Sequence, residues 1–433
     1  MIHISDRFIP LVDFHTHIGR VEIETTKGKS QRINSPREII DLYEKLQYEL
    51  FRRFSEKPDD YYITLPESAY QFAVPMHPLA SMILEQKRPA KTQGWLVDHV
   101  VTFPFNDIFH LATKPKFVRS NDFVRKNVHK LDFTFKFIPF CRVDATDGAE
   151  ACKEIENSVK EGSRGLKLHP MSQGWIDRIN SPETASVLQT AGQLGIPTIF
   201  DIPNKNVAQD VTDIARSARE IIDKRHAINV VLGHTGFDYS SPSIFDNLAQ
   251  DQMYCETSGM RGKDVELFFK NVMSVEGWFT KLLFGSDHNY FHVLQAADFI
   301  TFLFSHQFID CLEENNQKID PYEAATMILG GNALRLIPKI WHLKQAKTPD
   351  SSFYYEKNKI PNLMGDLIKR KCILSVDLMN KLGPEGDFTD ILVISRNGSY
   401  ISLVPKLVCK DRVLFQPVDL TTVKKEIFPV ITR

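Results

Sequence analysis

Eight short apolar segments alternate with longer stretches of helical apolar spacing along the chain up to residue 287. These segments are predicted strands, and they cover residues 11–17, 95–105, 133–144, 164–170, 196–203, 227–236, 253–259 and 281–287. Strands that alternate with helices form a parallel sheet, because each helix returns the chain to the end where the strand began. Eight such units predict an α/β fold closed into a (β/α)8 TIM-like barrel.

Two parts of the chain do not fit this repeat. The first two predicted strands lie much further apart than the roughly 30 residues of a whole ordinary βαβ unit. An insertion after the first strand is therefore expected within residues 57–93, and the barrel is predicted to occupy residues 1–345. After a polar stretch at 345–362, strand-like runs with Gly-Pro and Asn-Gly turn signals predict a small, mostly β module at residues 363–433.

Charge and composition exclude several classes of function. The chain has 53 basic and 54 acidic residues and a net charge of −1, so no overall positive field attracts nucleic acid or acidic lipid. No stretch has the 18 or so apolar residues of a membrane helix, and the first ten residues lack the apolar run of a signal peptide. The six cysteines form no CxxC pair. We expect a cytoplasmic protein that binds neither nucleic acid nor membrane.

Ionisable side chains stand at the ends of five predicted strands. They are His15 and His17 after the first strand, Lys167 and His169 after the fourth, Asp201 after the fifth, His234 after the sixth, and Asp287 after the eighth. In a closed α/β barrel the active site lies at the carboxyl ends of the strands. We therefore expect these side chains to converge on one catalytic site.

The pair His15 and His17 is the strongest candidate for binding a metal ion. Residues i and i+2 of a strand point to the same side, so both imidazoles can reach one ion at about 2.0–2.2 Å. Asp287, in the sequence FGSD, is a candidate ligand or proton acceptor, with a helix cap as the alternative. His234 lies in LGHTG, where glycines let the backbone approach a substrate closely.

Lys167 shares one face of the fourth strand with His169, and three interpretations of Lys167 stay open. A lysine buried near carboxylates needs a charge partner. Lys167 could bind a substrate carboxylate, it could be carboxylated and bridge two metal ions, or it could pair with Asp201. Arg142, which ends the third predicted strand, is a further candidate for holding a substrate anion.

Taken together, these motifs resemble the amidohydrolase superfamily. The closer resemblance is to its branch of barrel hydrolases and decarboxylases that includes aminocarboxymuconate-semialdehyde decarboxylase. It rests on the segments VDFHTH, RGLKLHP, GHTG, LFGSD and ILGGNALRL, within residues 11–337. The resemblance implies a divalent metal ion, usually zinc, held by His15, His17 and Asp287 at the barrel mouth. It also implies that His234 orients or deprotonates a water molecule on the metal.

One position departs from the family pattern. The branch usually has a histidine ligand at the end of the fifth strand, where this chain has Asp201. Asp201 either replaces that histidine as a ligand or does not bind metal at all. Ligation by Asp201 is the prediction, and an added oxygen ligand would favour harder ions such as manganese or iron(II) over zinc.

The predicted function is metal-dependent hydrolysis of a C–N or C–O bond in a small, anionic molecule. The predicted metal ligands are His15, His17, Asp201 and Asp287, and the predicted catalytic residues are Lys167, His169, His234 and Asp287. The same site would serve a non-oxidative decarboxylase of a small carboxylated ring or dienoic acid. A third interpretation is a barrel that has lost catalysis and acts as a binding or scaffold protein. A homo-oligomer is compatible with all three.

Overall fold

In the computed structural model, the described residues fall into one long region and several shorter ones. They are residues 2–4, 7–9, 11–25, 28–34, 36–63, 99–106, 113–130, 137–288 and 290–337, together with strands between residues 354 and 419. The predicted insertion at 57–93 lies outside the described residues from residue 64 onward. The division into a barrel at 1–345 and a module at 363–433 stays a prediction.

Eight parallel strands form the centre of the described part of the chain. They are β1 (Val12–Thr25), β2 (His99–Pro104), β3 (Phe137–Pro139 continued by Cys141–Arg142), β4 (Leu166–Leu168), β5 (Thr198–Asp201), β6 (Val230–Gly233), β7 (Met253–Glu256) and β8 (Leu282–Leu283). Each strand pairs in parallel with the next one along the chain.

Hydrogen bonds between the eighth and first strands close the ring. The backbone N–H of Phe14 donates to the carbonyl oxygen of Phe284 at 2.8 Å, and that of Asp287 donates to His15 at 2.8 Å. Thr16 and His288 form a parallel bridge at the same seam. The predicted α/β barrel is confirmed, and its closure places the ends of β1 and β8 side by side.

Helices lie between and after the strands. Their bounds are Pro36–Glu56, Val118–Lys130, Ala149–Lys160, Pro170–Gln173, Pro182–Gln193, Lys205–Ile221, Pro242–Ala249, Gly262–Val272, Val293–Phe302, His306–Glu314, Pro321–Thr326 and Asn332–Leu336. The helix that begins at Lys205 is capped by Asn204, whose Oδ1 accepts from two backbone N–H groups, and it buries Val207, Val211 and Ala215 at helical spacing. None of these described helices is both long and apolar enough to cross a membrane.

Strand β1 extends well beyond its predicted end. It continues to Thr25 and pairs antiparallel with Gly28–Asn34, and a second short antiparallel pair joins Ile2–Ile4 to Arg7–Ile9. The sequence VEIET in the extension has the period-two alternation and β-branched residues of a strand, which explains why it stays in the sheet.

A separate antiparallel sheet is described near the C-terminus. Its strands, in spatial order, are Tyr354–Glu356, Arg412–Asp419, Tyr400–Cys409, Ile391–Ile394 and Ile373–Leu374. One of these strands, Tyr354–Glu356, lies in the stretch that the sequence assigned to a polar linker.

Candidate metal centre

The ends of β1 and β8 bring His15, His17 and Asp287 together. Nε2 of His17 lies 3.2 Å from Oδ1 of Asp287, and Nε2 of His15 lies 3.6 Å from the same oxygen. All three side chains are at most 5% exposed. Two imidazole nitrogens and one carboxylate oxygen therefore face one small space, and these are atom types that bind zinc.

These three side chains fit a divalent cation. Oδ1 of Asp287 is buried and has no hydrogen-bond partner among the described atoms, which costs free energy unless a cation satisfies it. Burial, reinforced by the charge of Lys167, lowers the pKa of His15 to about 4 and holds the pKa of His17 well below its usual value. Both rings are therefore neutral near pH 7, which is the form that binds metal.

Hydrogen-bond acceptors behind both rings orient them. Nδ1 of His17 lies 3.4 Å from the carbonyl oxygen of Pro104, and Nδ1 of His15 lies 2.9 Å from Oε1 of Glu256. A carbonyl oxygen or a carboxylate only accepts, so these contacts place each ring proton on Nδ1. The lone pair of each ring is then on Nε2 and faces the space beside Asp287. Histidines that bind metal are oriented in this way by a hydrogen bond from the other ring nitrogen.

Glu256 is a site residue that sequence reasoning missed. It ends β7, it is completely buried, and its carboxylate contacts both His15 and His234. Burial opposes ionisation of Glu256, but its contacts with His15 and His234 outweigh burial and hold its pKa below the usual value. The strand-end rule that identified the other candidates also applies to Glu256, which follows the weak seventh segment MYCETSG.

A second cluster surrounds Asp201 at the end of β5. Its Oδ2 lies 3.2 Å from Nε2 of His234, 3.4 Å from Nε2 of His169 and 3.5 Å from Nζ of Lys167. Burial opposes ionisation of Asp201, but these neighbours outweigh it and hold the pKa of Asp201 well below its usual value. Within the described residues, the groups of ligand atoms that lie within 4.8 Å of one another do not include Asp201. Its role as a metal ligand stays a prediction.

Lys167 lies between the two clusters. It is completely buried at the centre of β4, and its Nζ is 3.3 Å from Nε2 of His15 and 3.5 Å from Oδ2 of Asp201. Burial lowers the pKa of the Lys167 ammonium group, although the carboxylates nearby oppose that shift. Of the three interpretations of Lys167, the pairing with Asp201 is the one for which the structure shows a contact.

The backbone around His234 is strained. His234, Thr235, Gly236 and Phe237 follow one another with φ angles of 56°, 50°, 66° and 52°. A left-handed conformation costs about 1–2 kcal/mol for each residue other than glycine. This turn stacks the ring of Phe237 on the imidazole of His234, with centroids 4.7 Å apart. Strain of this kind concentrates at functional sites, and Asp287 also has a positive φ, of 46°.

Comparisons with known proteins give structural matches and no sequence relatives. No family model matches the chain, and no curated relative matches it. A 4-oxalomesaconate hydratase from Rhodopseudomonas palustris is 14% identical, with a TM-score of 0.42, and the match covers 78% of this chain and 98% of that one. An uncharacterized TIM-barrel protein from Bordetella bronchiseptica is 13% identical, with a TM-score of 0.41 and coverage of 77% and 99%.

An amidohydrolase from Mycobacterium avium subsp. paratuberculosis is also similar, at 12% identity and a TM-score of 0.37, with coverage of 78% of this chain and 99% of that one. Identities of this size concern the fold alone, and the resemblance to the narrower decarboxylase branch stays a prediction.

Proposed function

We propose that this chain is a metal-dependent hydrolase in which His15, His17 and Asp287 bind one divalent cation. The main support is the buried Oδ1 of Asp287, which has no hydrogen-bond partner among the described atoms and faces two neutral imidazoles. A divalent cation held there would polarise a carbonyl group and activate water, which is the chemistry that hydrolysis requires. Three protein ligands also leave a position open for the substrate.

In this proposal His234 transfers the proton. Its Nε2 lies 3.2 Å from Oδ2 of Asp201 and 3.9 Å from Oδ2 of Asp287, so it faces two carboxylates. Burial opposes protonation of His234, but the hydrogen bond with Asp201 and the charge of Glu256 outweigh it and raise its pKa. A histidine with a raised pKa retains a proton taken from water long enough to pass it to a leaving group.

The other predicted catalytic residues hold His234 and the substrate. Asp201 and Lys167 form a charge pair behind the imidazole of His234. The side chain of His169 is 22% exposed, compared with 0% for Lys167, so His169 can contact a substrate that enters the barrel mouth.

We infer that the substrate carries a negative charge. Arg142 ends β3 and Lys167 lies in β4, and both of these cations are buried. A bound divalent cation would add two further positive charges to this end of the barrel. Nη2 of Arg142 donates to Oγ of Ser172 at 2.8 Å, so the guanidinium is held at a fixed place where it can attract a carboxylate.

The first test is elemental analysis of purified protein without added metal, followed by a screen for hydrolysis. We expect about one ion per chain and turnover of a small carboxylated amide, ester or lactone, with incorporation of oxygen from 18O-labelled water. Two ions per chain would indicate a carboxylated Lys167 that bridges them. Release of carbon dioxide without 18O incorporation would indicate the decarboxylase. No bound metal after reconstitution would contradict the proposal and favour the scaffold protein.

The Asp201→Asn protein tests whether the cluster around Asp201 acts on His234 without binding the metal ion. We expect it to retain one metal ion per chain, because the described contacts of Asp201 are with Lys167, His169 and His234. The metal dissociation constant should rise by less than about 10-fold, the smallest effect usually found when a residue that orients a metal ligand is replaced. Turnover should fall, because Nε2 of His234 loses the nearer of the two carboxylates that it faces. A sharp loss of metal content would instead establish Asp201 as a ligand.

A further inference from the structure

The carboxylate of Glu256 is surrounded by hydrogen-bond donors. Its Oε1 accepts from the backbone N–H of His234 at 2.6 Å and from Oγ of Ser258 at 2.9 Å, and it lies 2.9 Å from Nδ1 of His15. Its Oε2 accepts from the backbone N–H of Ser258 at 2.8 Å. Two of these donors are backbone N–H groups, which never accept, so each carboxylate oxygen is held in place as an acceptor.

These contacts argue against Glu256 as a metal ligand. On spacing alone it qualifies, because its oxygen and the ring nitrogens of His15 and His234 lie within 4.8 Å of one another. However, each carboxylate oxygen has about two lone-pair positions, and Oε1, the oxygen that lies near both rings, already has three donors around it. His15 also turns Nδ1 to Glu256 and Nε2 to Asp287, so the nitrogen that faces Glu256 is the one that carries a proton.

Ser258 links Glu256 to a second histidine, His234, by hydrogen bonds. The hydroxyl of Ser258 has a single proton, which it donates to Oε1 of Glu256. At its other contact, 2.8 Å from Nδ1 of His234, the hydroxyl must therefore accept. The proton of that contact belongs to Nδ1 of His234. Its Nε2 is then the nitrogen left to exchange a proton beside Asp201 and Asp287.

The glycine of the FGSD motif makes room for this arrangement. A Cβ atom at Gly285 would lie 2.3 Å from Oε2 of Glu256 and 3.0 Å from Cβ of His15. Any side chain at this position would displace the carboxylate or the ring that it holds. The requirement for glycine beside Asp287 thus follows from the buried carboxylate on the neighbouring strand.

We infer that Glu256 is a positioning residue that sets the ring tautomer of two histidines, that of His15 directly and that of His234 through Ser258. It holds a proton on Nδ1 of both rings, so that Nε2 is the nitrogen of His15 with a lone pair for a ligand and the nitrogen of His234 that gains or loses a proton. The effect on metal affinity rests on the proposed function, whereas the effect on the tautomers does not.

The Glu256→Ala protein tests this inference by two measurements. Alanine removes both carboxylate oxygens, and with them the acceptor for Nδ1 of His15 and for the hydroxyl of Ser258. We expect long-range 1H–15N NMR of histidine-labelled protein, recorded at a pH where His234 is neutral, to show His15 and His234 as Nδ1–H tautomers in the wild type and as mixtures in the variant. Titration with cobalt(II), followed by its absorbance, should show a dissociation constant about 10–100-fold higher.

Two further variants complete the test. Ser258→Ala removes only the link from Glu256 to His234, so it should change the tautomer of His234 and leave that of His15 and the cobalt(II) affinity unchanged. It also keeps the inference testable if Glu256→Ala does not fold. Glu266→Ala is the matched control, because Glu266 is 43% exposed and pairs only with Lys270 among the ion pairs of the described residues.

The outcomes distinguish the two proposals. If Glu256→Ala leaves both tautomers and the cobalt(II) affinity at wild-type values, the positioning role is wrong. The role is also wrong if Ser258→Ala leaves the tautomer of His234 unchanged. If the wild-type protein binds no cobalt(II) while the tautomers change as expected, the positioning role stands and the proposed metal-dependent function fails.

Discussion

The Asp287→Ala protein is expected to lose tight metal binding. Asp287 is the only carboxylate among the three proposed ligands, and its Oδ1 lies 3.2 Å and 3.6 Å from the Nε2 atoms of the other two. Changes to residues that merely orient metal ligands cost about 10–100-fold in affinity, so loss of a ligand should cost at least 100-fold. A cobalt(II) titration measures this change, and elemental analysis of the purified variant should find no stoichiometric metal.

The metal-free fold should survive this substitution. Burial raises the pKa of Asp287, although His15, His234 and Lys167 oppose that shift, so its ionised form is held at a cost when no cation is bound. Alanine removes that cost. Asp310→Ala, on the exposed side of the helix His306–Glu314, is the control and should bind cobalt(II) as the wild type does. Tight binding of one ion by Asp287→Ala would place the metal elsewhere.

The position of the candidate site could be predicted because it depends on rules that act locally. A strand alternates its side chains with period two, so His15 and His17 were expected on one side. In the structure their ring centroids are 5.4 Å apart and both face Asp287. The alternation of strands and helices also predicted the barrel. Closure of the ring brings residues 15 and 287 together. The motifs VDFHTH and LFGSD, which end the first and eighth predicted strands, were therefore expected to meet.

Glu256 could not be predicted with the same ease, because its importance depends on contacts between distant parts of the chain. It lies 241 residues from His15 in sequence and 22 from His234. No spacing pattern marks a single glutamate in MYCETSG, and a carboxylate becomes a positioning group only through the donors that surround it. For Asp201 the sequence identified the strand end. The orientation of its carboxylate, however, depends on contacts with Lys167 and His234 on the neighbouring strands.

Phe269→Ala is expected to lower the free energy of unfolding by about 3–5 kcal/mol, the usual cost of removing a buried aromatic ring. Phe269 is completely buried, at the centre of a cluster of aromatic side chains. Its ring centroid lies 5.3–5.8 Å from those of Phe302, Phe308, Trp278 and Phe299. Four neighbouring rings cannot all close over the gap, so a cavity should persist. Denaturant unfolding of the metal-free protein, measured by fluorescence, gives the change.

Leu267→Ala is the matched control for this cluster, because Leu267 lies on the same helix, Gly262–Val272, and is 43% exposed. Its free energy of unfolding should stay within about 0.5 kcal/mol of the wild type. The folded Phe269→Ala protein should bind cobalt(II) normally, since none of the rings in this cluster belongs to the proposed metal ligands. Asp287→Ala should show the opposite pattern, with lost metal affinity and a retained metal-free fold. If Phe269→Ala loses less than 1 kcal/mol, the aromatic cluster does not stabilise the barrel in the way its packing indicates.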